Sequence, residues 1–124
     1  MRKKILIVED EELIAQVLRI RLENHGYEVV IAHDGEQGLN MVTKEHPDLA
    51  ILDIGLPLMD GNSLRKLIKS SPATKNVKII MLTGHAFAGE TTPAGHSAAE
   101  IYIRKPFEWQ HLLGHVNKIL GQTA

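Results

Sequence analysis

The chain has 124 residues and 44% hydrophobic content, the size of one domain with a single packed core and no room for a second. Its 14 basic and 15 acidic residues leave a net charge of −1, which argues against recruitment to nucleic acid or anionic lipid by bulk electrostatics. The absence of cysteine excludes disulfides and cysteine-ligated zinc or iron–sulfur sites, and it fits a cytoplasmic location.

The opening MRKKILIVEDEE is basic at its start, but its apolar run stops at Val8 before a cluster of acids, too short for a signal peptide. No later run approaches a membrane span. KILIV at 4–8 reads as a first strand. Residues 11–24 follow as one amphipathic helix, with Leu13, Ile14, Val17, Leu18 and Ile20 at helical spacing, and Gly26 is placed as the C-cap. EVVIA at 28–32 is the second strand. Asp34 with Gln37 resembles a capping box for a helix that carries Leu39 and Val42 and stops before Pro47. DLAIL at 48–52 is the third strand, and a helix opened by Asn62 or Ser63 then presents Leu64, Leu67 and Ile68. VKIIML at 77–82 is the fourth strand and AEIYI at 99–103 a weaker fifth. Between them AFAGETTPAGHSAAE holds Gly89, Pro93 and Gly95, which predict a short or broken helix over 86–98. A last helix over 107–120 carries Leu112, Leu113, Val116, Ile119 and Leu120.

Continuous rather than alternating apolar runs are what strands covered on both faces require. The whole reads as an α/β (βα)5 domain over 1–124: a doubly wound parallel five-stranded sheet in which right-handed crossovers put helices on both faces. Ligands in such sheets bind beyond the carboxyl ends of the strands. At that edge the chain places Glu9 and Asp10 after strand one, Asp53 after strand three, Thr83 after strand four, and Lys105 with Pro106 after strand five. Neighbouring strand ends lie roughly 5 Å apart, and two carboxylates at that distance repel by ~3 kcal/mol at an effective dielectric near 20. A divalent cation would neutralise the excess charge, and an all-oxygen donor set favours magnesium over zinc. A carboxylate so placed is also a candidate nucleophile, with an aspartyl phosphate as its common covalent product.

VEDE at 8–11, LDIGLPLMDG at 52–61, MLTG at 81–84 and YIRKPF at 102–107 together resemble a response-regulator receiver domain, a CheY-like, flavodoxin-like fold of strand order 2-1-3-4-5. The resemblance covers essentially the whole chain. It implies that Asp53 is the phosphoacceptor and that Glu9, Asp10, Asp53 and the backbone carbonyl of Gly55 hold Mg2+. It implies that Lys105 pairs with the phosphoryl group, that Thr83 bonds one of its oxygens, that Thr83 and Tyr102 switch, and that Pro106 follows a cis peptide bond. The implied chemistry is transfer from a phosphohistidine on a sensor histidine kinase or histidine phosphotransfer protein, slow hydrolysis, and no other turnover. The output is a shifted interaction surface, made by the 86–98 segment, the fifth strand and the last helix, for a downstream protein that the sequence does not name, with no direct nucleic-acid or membrane binding.

Departures from the family pattern carry expectations of their own. Gly55 is smaller than the side chain often found two residues after the acceptor, and His85 stands two after Thr83; both are expected to tune phosphoryl lifetime. GETTPAGHS lacks the charged helix formers of many relatives, and the last helix lacks the charge pairs of the DNA-binding subclass that dimerises through this face.

Taken singly, Asp10 reads as a cap for the first helix and Asp53 as a turn residue. Jointly those roles leave Lys105 and Thr83 at the same edge unexplained. His111 and His115 are spaced i, i+4, yet HLLGH lacks the glutamate of zinc hydrolases and reads as a solvated helix face. A flavin carrier is disfavoured because EDEE replaces a phosphate-binding loop. A haloacid-dehalogenase-type phosphatase is disfavoured because Gly55 stands where its second aspartate belongs. A receiver-like interaction module independent of phosphorylation is the remaining rival, and it would ordinarily have lost an acid or the lysine. The chain ends soon after its last helix, which fits either a stand-alone receiver or a domain of something longer.

Overall fold

The computed structural model describes residues 2–84 and 101–121. Within these lie β1 (Lys4–Val8), α1 (Glu12–Asn24), β2 (Glu28–Ala32), α2 (Gly35–Glu45), β3 (Leu49–Asp53), α3 (Gly61–Ser70), β4 (Lys78–Thr83), β5 (Ile101–Arg104) and α4 (Trp109–Leu120). The expected start of the fifth strand at 99, the broken helix over 86–98 and His85 lie outside the described residues. Among the described residues no helix is long and apolar enough to cross a membrane.

The five strands form one parallel sheet in the order β2-β1-β3-β4-β5. β3 is buried along its whole length, as its unbroken apolar run requires of a central strand. Successive side chains of the sheet divide between two cores. Ile5, Ile7, Leu49, Ile51, Ile80 and Leu82 pack with Leu18 and Leu22 of α1 and with Leu112, Leu113 and Val116 of α4. Leu6, Val8, Ala50, Leu52, Ile79 and Met81 pack on the other face with Val42 of α2 and with Leu64 and Ile68 of α3. Tyr27, fully buried, joins the first core and donates a hydrogen bond to Asn117, tying the start of β2 to α4.

Three local expectations are corrected. The apolar positions of α1 do not form one buried face: Ala15, Leu18 and Leu22 are buried, whereas Leu13, Val17 and Ile20 are 76%, 43% and 52% exposed. The helix is apolar on two sides, and only one meets the sheet. α3 opens two residues before Asn62: Asp60 is the N-cap, and its carboxylate accepts the Ser63 N–H at 2.8 Å. α4 begins at Trp109 rather than 107, because Phe107 is spent packing against the first core and Glu108 is the N-cap. In α2, Asp34 accepts the Gln37 N–H at 2.8 Å as a capping box predicts, while the Gln37 side chain accepts from His33 N–H rather than from Asp34.

Candidate functional site

β3 and β4 each run one residue further than their apolar runs suggest, so Asp53 and Thr83 are the last residues of their strands. Val8 lies opposite Leu52, and the residues that follow Val8, Glu9 and Asp10, therefore reach the end of β3. Carboxylate oxygens of Glu9, Asp10 and Asp53 lie within 4.8 Å of one another. Glu9 and Asp53 are buried and Asp10 is exposed, so the group is sealed on the sheet side and open toward solvent. Asp10 caps nothing: the N-cap of α1 is Glu11, which makes no side-chain cap bond.

Lys105 reaches this group from beyond β5. Its backbone N–H donates to Thr83 O at 2.7 Å, which fixes the chain beside the end of β4. Its Nζ then donates to Asp53 Oδ2 at 3.2 Å and stands 3.7 Å from Glu9 Oε1. The Lys105-Pro106 peptide bond is cis. On the other oxygen, Asp53 Oδ1 accepts the Gly55 N–H at 3.1 Å, so a turn role for Asp53 is real but occupies one oxygen only. Thr83 is buried one position beyond Leu82, the residue paired with Asp53. Tyr102 stands on β5 opposite Met81, half-buried against the core that α2 and α3 cover, and outside the acid group.

The loop after Asp53 has to turn back tightly to start α3. A Cβ on Gly61 would lie 2.5 Å from the Asp53 carbonyl oxygen and 2.8 Å from Ile54 Cα, so only glycine permits that approach. Gly55 is different. A Cβ there would meet nothing nearer than Asp53 Oδ1 at 3.9 Å, so space beside the carboxylate is open.

Electrostatics of the site are dominated by burial of like charges. Desolvation pushes the Glu9 carboxyl up to about 7; the Glu11 N–H on Glu9 Oε2 opposes this, and the Asp53 charge adds to it. For Lys105 burial works to lower the pKa, but the charges of Asp53 and Glu9 outweigh it and hold the ammonium above its ordinary value. Glu9 Oε1 is buried without a hydrogen-bond partner. An orphaned carboxylate oxygen beside two more carboxylates fits a hard divalent cation, whose all-oxygen ligation needs such a donor set.

One contributor escaped the sequence reading. His33 follows β2, with Nδ1 at 3.2 Å from the Glu9 carbonyl and Nε2 at 3.2 Å from Glu12 Oε1, clasping the acidic turn from outside. The register of β2 on β1, Ala32 opposite Val8, puts residue 33 beside Glu9. The strand order thus held the signal. His111 and His115 do face each other, ring centroids 4.7 Å apart, but among the described residues the one group of three candidate metal ligands is the acid trio.

Comparison with known proteins agrees with this geometry. The family model for the response regulator receiver domain matches residues 5–117. The chain is 37% identical over 123 residues to the alkaline phosphatase synthesis transcriptional regulatory protein PhoP of Bacillus subtilis, covering 99% of this chain and 50% of that one. It spans about half the length of the transcriptional regulators it matches. A CheY-like response regulator receiver domain protein from Methanospirillum hungatei superposes with a TM-score of 0.82 at 34% identity, over 98% of this chain and 95% of that one. The receiver domain of the sensor histidine kinase PA1611 from Pseudomonas aeruginosa superposes with a TM-score of 0.86 at 28% identity, over 98% and 100% of the two chains. That structure has a magnesium ion coordinated in its active-site cleft. With the sheet order, the acid trio and the lysine all in place, the chain belongs to the response-regulator receiver family of two-component signalling.

Proposed function

We propose that Asp53 accepts a phosphoryl group from a phosphohistidine on a sensor histidine kinase or histidine phosphotransfer protein, in the cytoplasm, and that the domain 1–124 acts as one switching unit. The observation that carries this is the convergence of Glu9, Asp10 and Asp53 within 4.8 Å, with Lys105 on Asp53 Oδ2. Glu9, Asp10, Asp53 and the Gly55 carbonyl would hold Mg2+, which when bound supplies positive charge to the phosphoryl oxygens.

An Asp53 carboxylate oxygen attacks phosphorus as the P–N bond of the donor breaks, and the bonding pair returns to the donor imidazole nitrogen. The Gly55 N–H and the Lys105 ammonium keep the carboxylate aimed, which lowers the entropic cost of the in-line approach. In the product, Lys105 pairs with a phosphoryl oxygen and Thr83 donates its hydroxyl to another. Later attack by water on phosphorus returns the Asp53 carboxylate and releases inorganic phosphate. Gly55 and His85 set the rate of that step. The new contact of Thr83 draws it inward, and Tyr102 on the next strand changes rotamer to present the output surface to a downstream protein.

The donor docks beside the site. Leu13, Val17 and Ile20 line the outer side of α1 at i, i+4 and i+7, and none of them serves the core. A groove of about 570 Å³ opens beside Val17, the one of the three that lines it, and runs past Pro106, Phe107 and Trp109 to Lys105. An amphipathic helical donor suits such a surface.

The test is intact mass after incubation with Mg2+ and acetyl phosphate. A single phosphoryl adduct is expected, absent without metal and absent in Asp53→Ala. An adduct that survives in Asp53→Ala would reject the assignment.

A further inference from the structure

His111 and His115 take no part in the acid group, and they stand on the side of α4 that Leu112, Leu113 and Val116 leave uncovered. The face they share is not the freely solvated one that its spacing suggests. His111 is exposed but His115 is half-buried, and their rings meet edge to face at 4.7 Å with 89° between the planes. Other rings of the chain have partners: His25 Nδ1 is 3.0 Å from Arg21 O, and His33 lies between the Glu9 carbonyl and Glu12. Among the described residues no hydrogen bond or ion pair reaches the ring of His111 or of His115.

Two imidazoles this close resist carrying two protons. Burial pushes the His115 pKa below its ordinary value, and the neighbouring His111 and Lys118 add to the effect. Near neutral pH the pair therefore presents ring nitrogens with uncommitted lone pairs, the form in which histidine binds metal. The surroundings leave room for an ion and its water. Gly114, beside His115, is exposed, and a Cβ there would meet nothing within 4 Å. Glycine disfavours the interior of a helix, and nothing in the chain requires it at this position, yet it keeps that flank of the pair bare. On the other side His111 borders a depression of about 420 Å³ with Glu108 and Arg104, whose opposite charges leave the rim without a net repulsion for a cation. The Glu108 carboxylate makes no cap bond to α4.

We propose that His111 and His115 chelate a divalent transition-metal ion of the imidazole-preferring class, represented by Zn2+, at a site separate from the acid group. Residues at i and i+4 on one helix face can offer two ring nitrogens to one ion. His111, open to solvent, turns its ring so that both lone pairs meet the ion, and water fills the positions that remain. Donor chemistry keeps the two sites apart. The three carboxylates suit a hard ion such as Mg2+, whereas neutral imidazoles suit zinc, nickel or copper. The site does not depend on Asp53 as phosphoacceptor. It sits beside β5, and Tyr102 lines the same depression as His111, so the bound ion adds positive charge to that face of the domain.

Isothermal titration of the untagged chain with Zn2+, near neutral pH and in saturating Mg2+, tests this. The variants are His111→Ala, His115→Ala and Asp53→Ala. Alanine favours the helix at both histidine positions, so loss of binding there is not loss of fold. The expected result is a single Zn2+ per chain in wild type and in Asp53→Ala alike. Affinity should fall in each histidine variant by at least the roughly ten-fold that loss of even an outer-shell partner costs a metal site. A wild-type chain that takes up no Zn2+ would overturn the proposal, as would equal affinity in wild type and both histidine variants. Loss in only one of the two would overturn it as well, because a single imidazole would then hold the ion. Loss in Asp53→Ala would place the ion in the acid group and likewise overturn it.

Discussion

Glu9 titrates near neutrality in the folded, metal-free protein, at about 7 against an ordinary 4.5, and burial is the main cause. Between those values the folded state binds more protons than the unfolded one. The favourable contribution is therefore complete below the lower value and is lost as pH rises through the upper one. The loss is on the order of 3 kcal/mol at most, taking about 1.4 kcal/mol per pH unit. Urea unfolding of the metal-free protein is expected to show a falling midpoint from about pH 5 to about pH 8, flattened in Glu9→Gln. Magnesium competes with that proton, so its affinity is expected to rise over the same interval, as isothermal titration at several pH values would show. Gly55 carries a second prediction. A side chain fits there, so Gly55→Met should fold with stability within about 0.5 kcal/mol of the parent, while shielding the phosphoryl group and lengthening its half-life several-fold. A half-life unchanged in the label-decay assay would remove Gly55 from the account.

Legibility in the sequence differs from element to element for physical reasons. β1, β3 and β4 are plain because a strand buried on both faces needs an unbroken apolar run, and the polar residue that ends each run marks the edge of the sheet. The acids and the threonine were legible by the same token, since Glu9, Asp53 and Thr83 each follow such a run, whereas Lys105 follows the weaker, partly buried fifth strand. α1 was misread because periodicity locates apolar positions without saying which side meets the core. Leu13, Val17 and Ile20 satisfy helical spacing as well as Leu18 and Leu22 do. The start of α3 was misplaced because Asp60-Gly61 reads as a turn, whereas Gly61 is the first helical residue and is small so that it can pass the Asp53 carbonyl. Asp60→Ala removes the cap of α3 and should cost about 1 kcal/mol in chemical denaturation. Gly61→Ala should cost more, because backbone atoms at 2.5 and 2.8 Å have to move.

At the scale of the whole molecule, the sheet acts as a rigid frame that holds mutually repelling carboxylates together, and the two helical layers contribute the burial that offsets the repulsion. The metal-free protein is therefore less stable than its core alone allows. Magnesium should raise the melting temperature by linkage, equivalent to about 2.7 kcal/mol at a hundredfold excess over its Kd. Asp53→Ala should stabilise the metal-free form by about 1 kcal/mol, by removing one of the repelling charges, and should abolish most of the magnesium response. Absence of either shift in a calorimetric scan would contradict a shared site. The central claim, that the strain at this edge serves phosphoryl acceptance at one residue, is tested most directly by chemical trapping. Borohydride reduction of the acetyl phosphate-treated protein, followed by peptide mapping, should place homoserine in the peptide that contains Asp53 and nowhere else. Homoserine at Glu9, Asp10 or another acid, with the Asp53 peptide unmodified, would contradict the account.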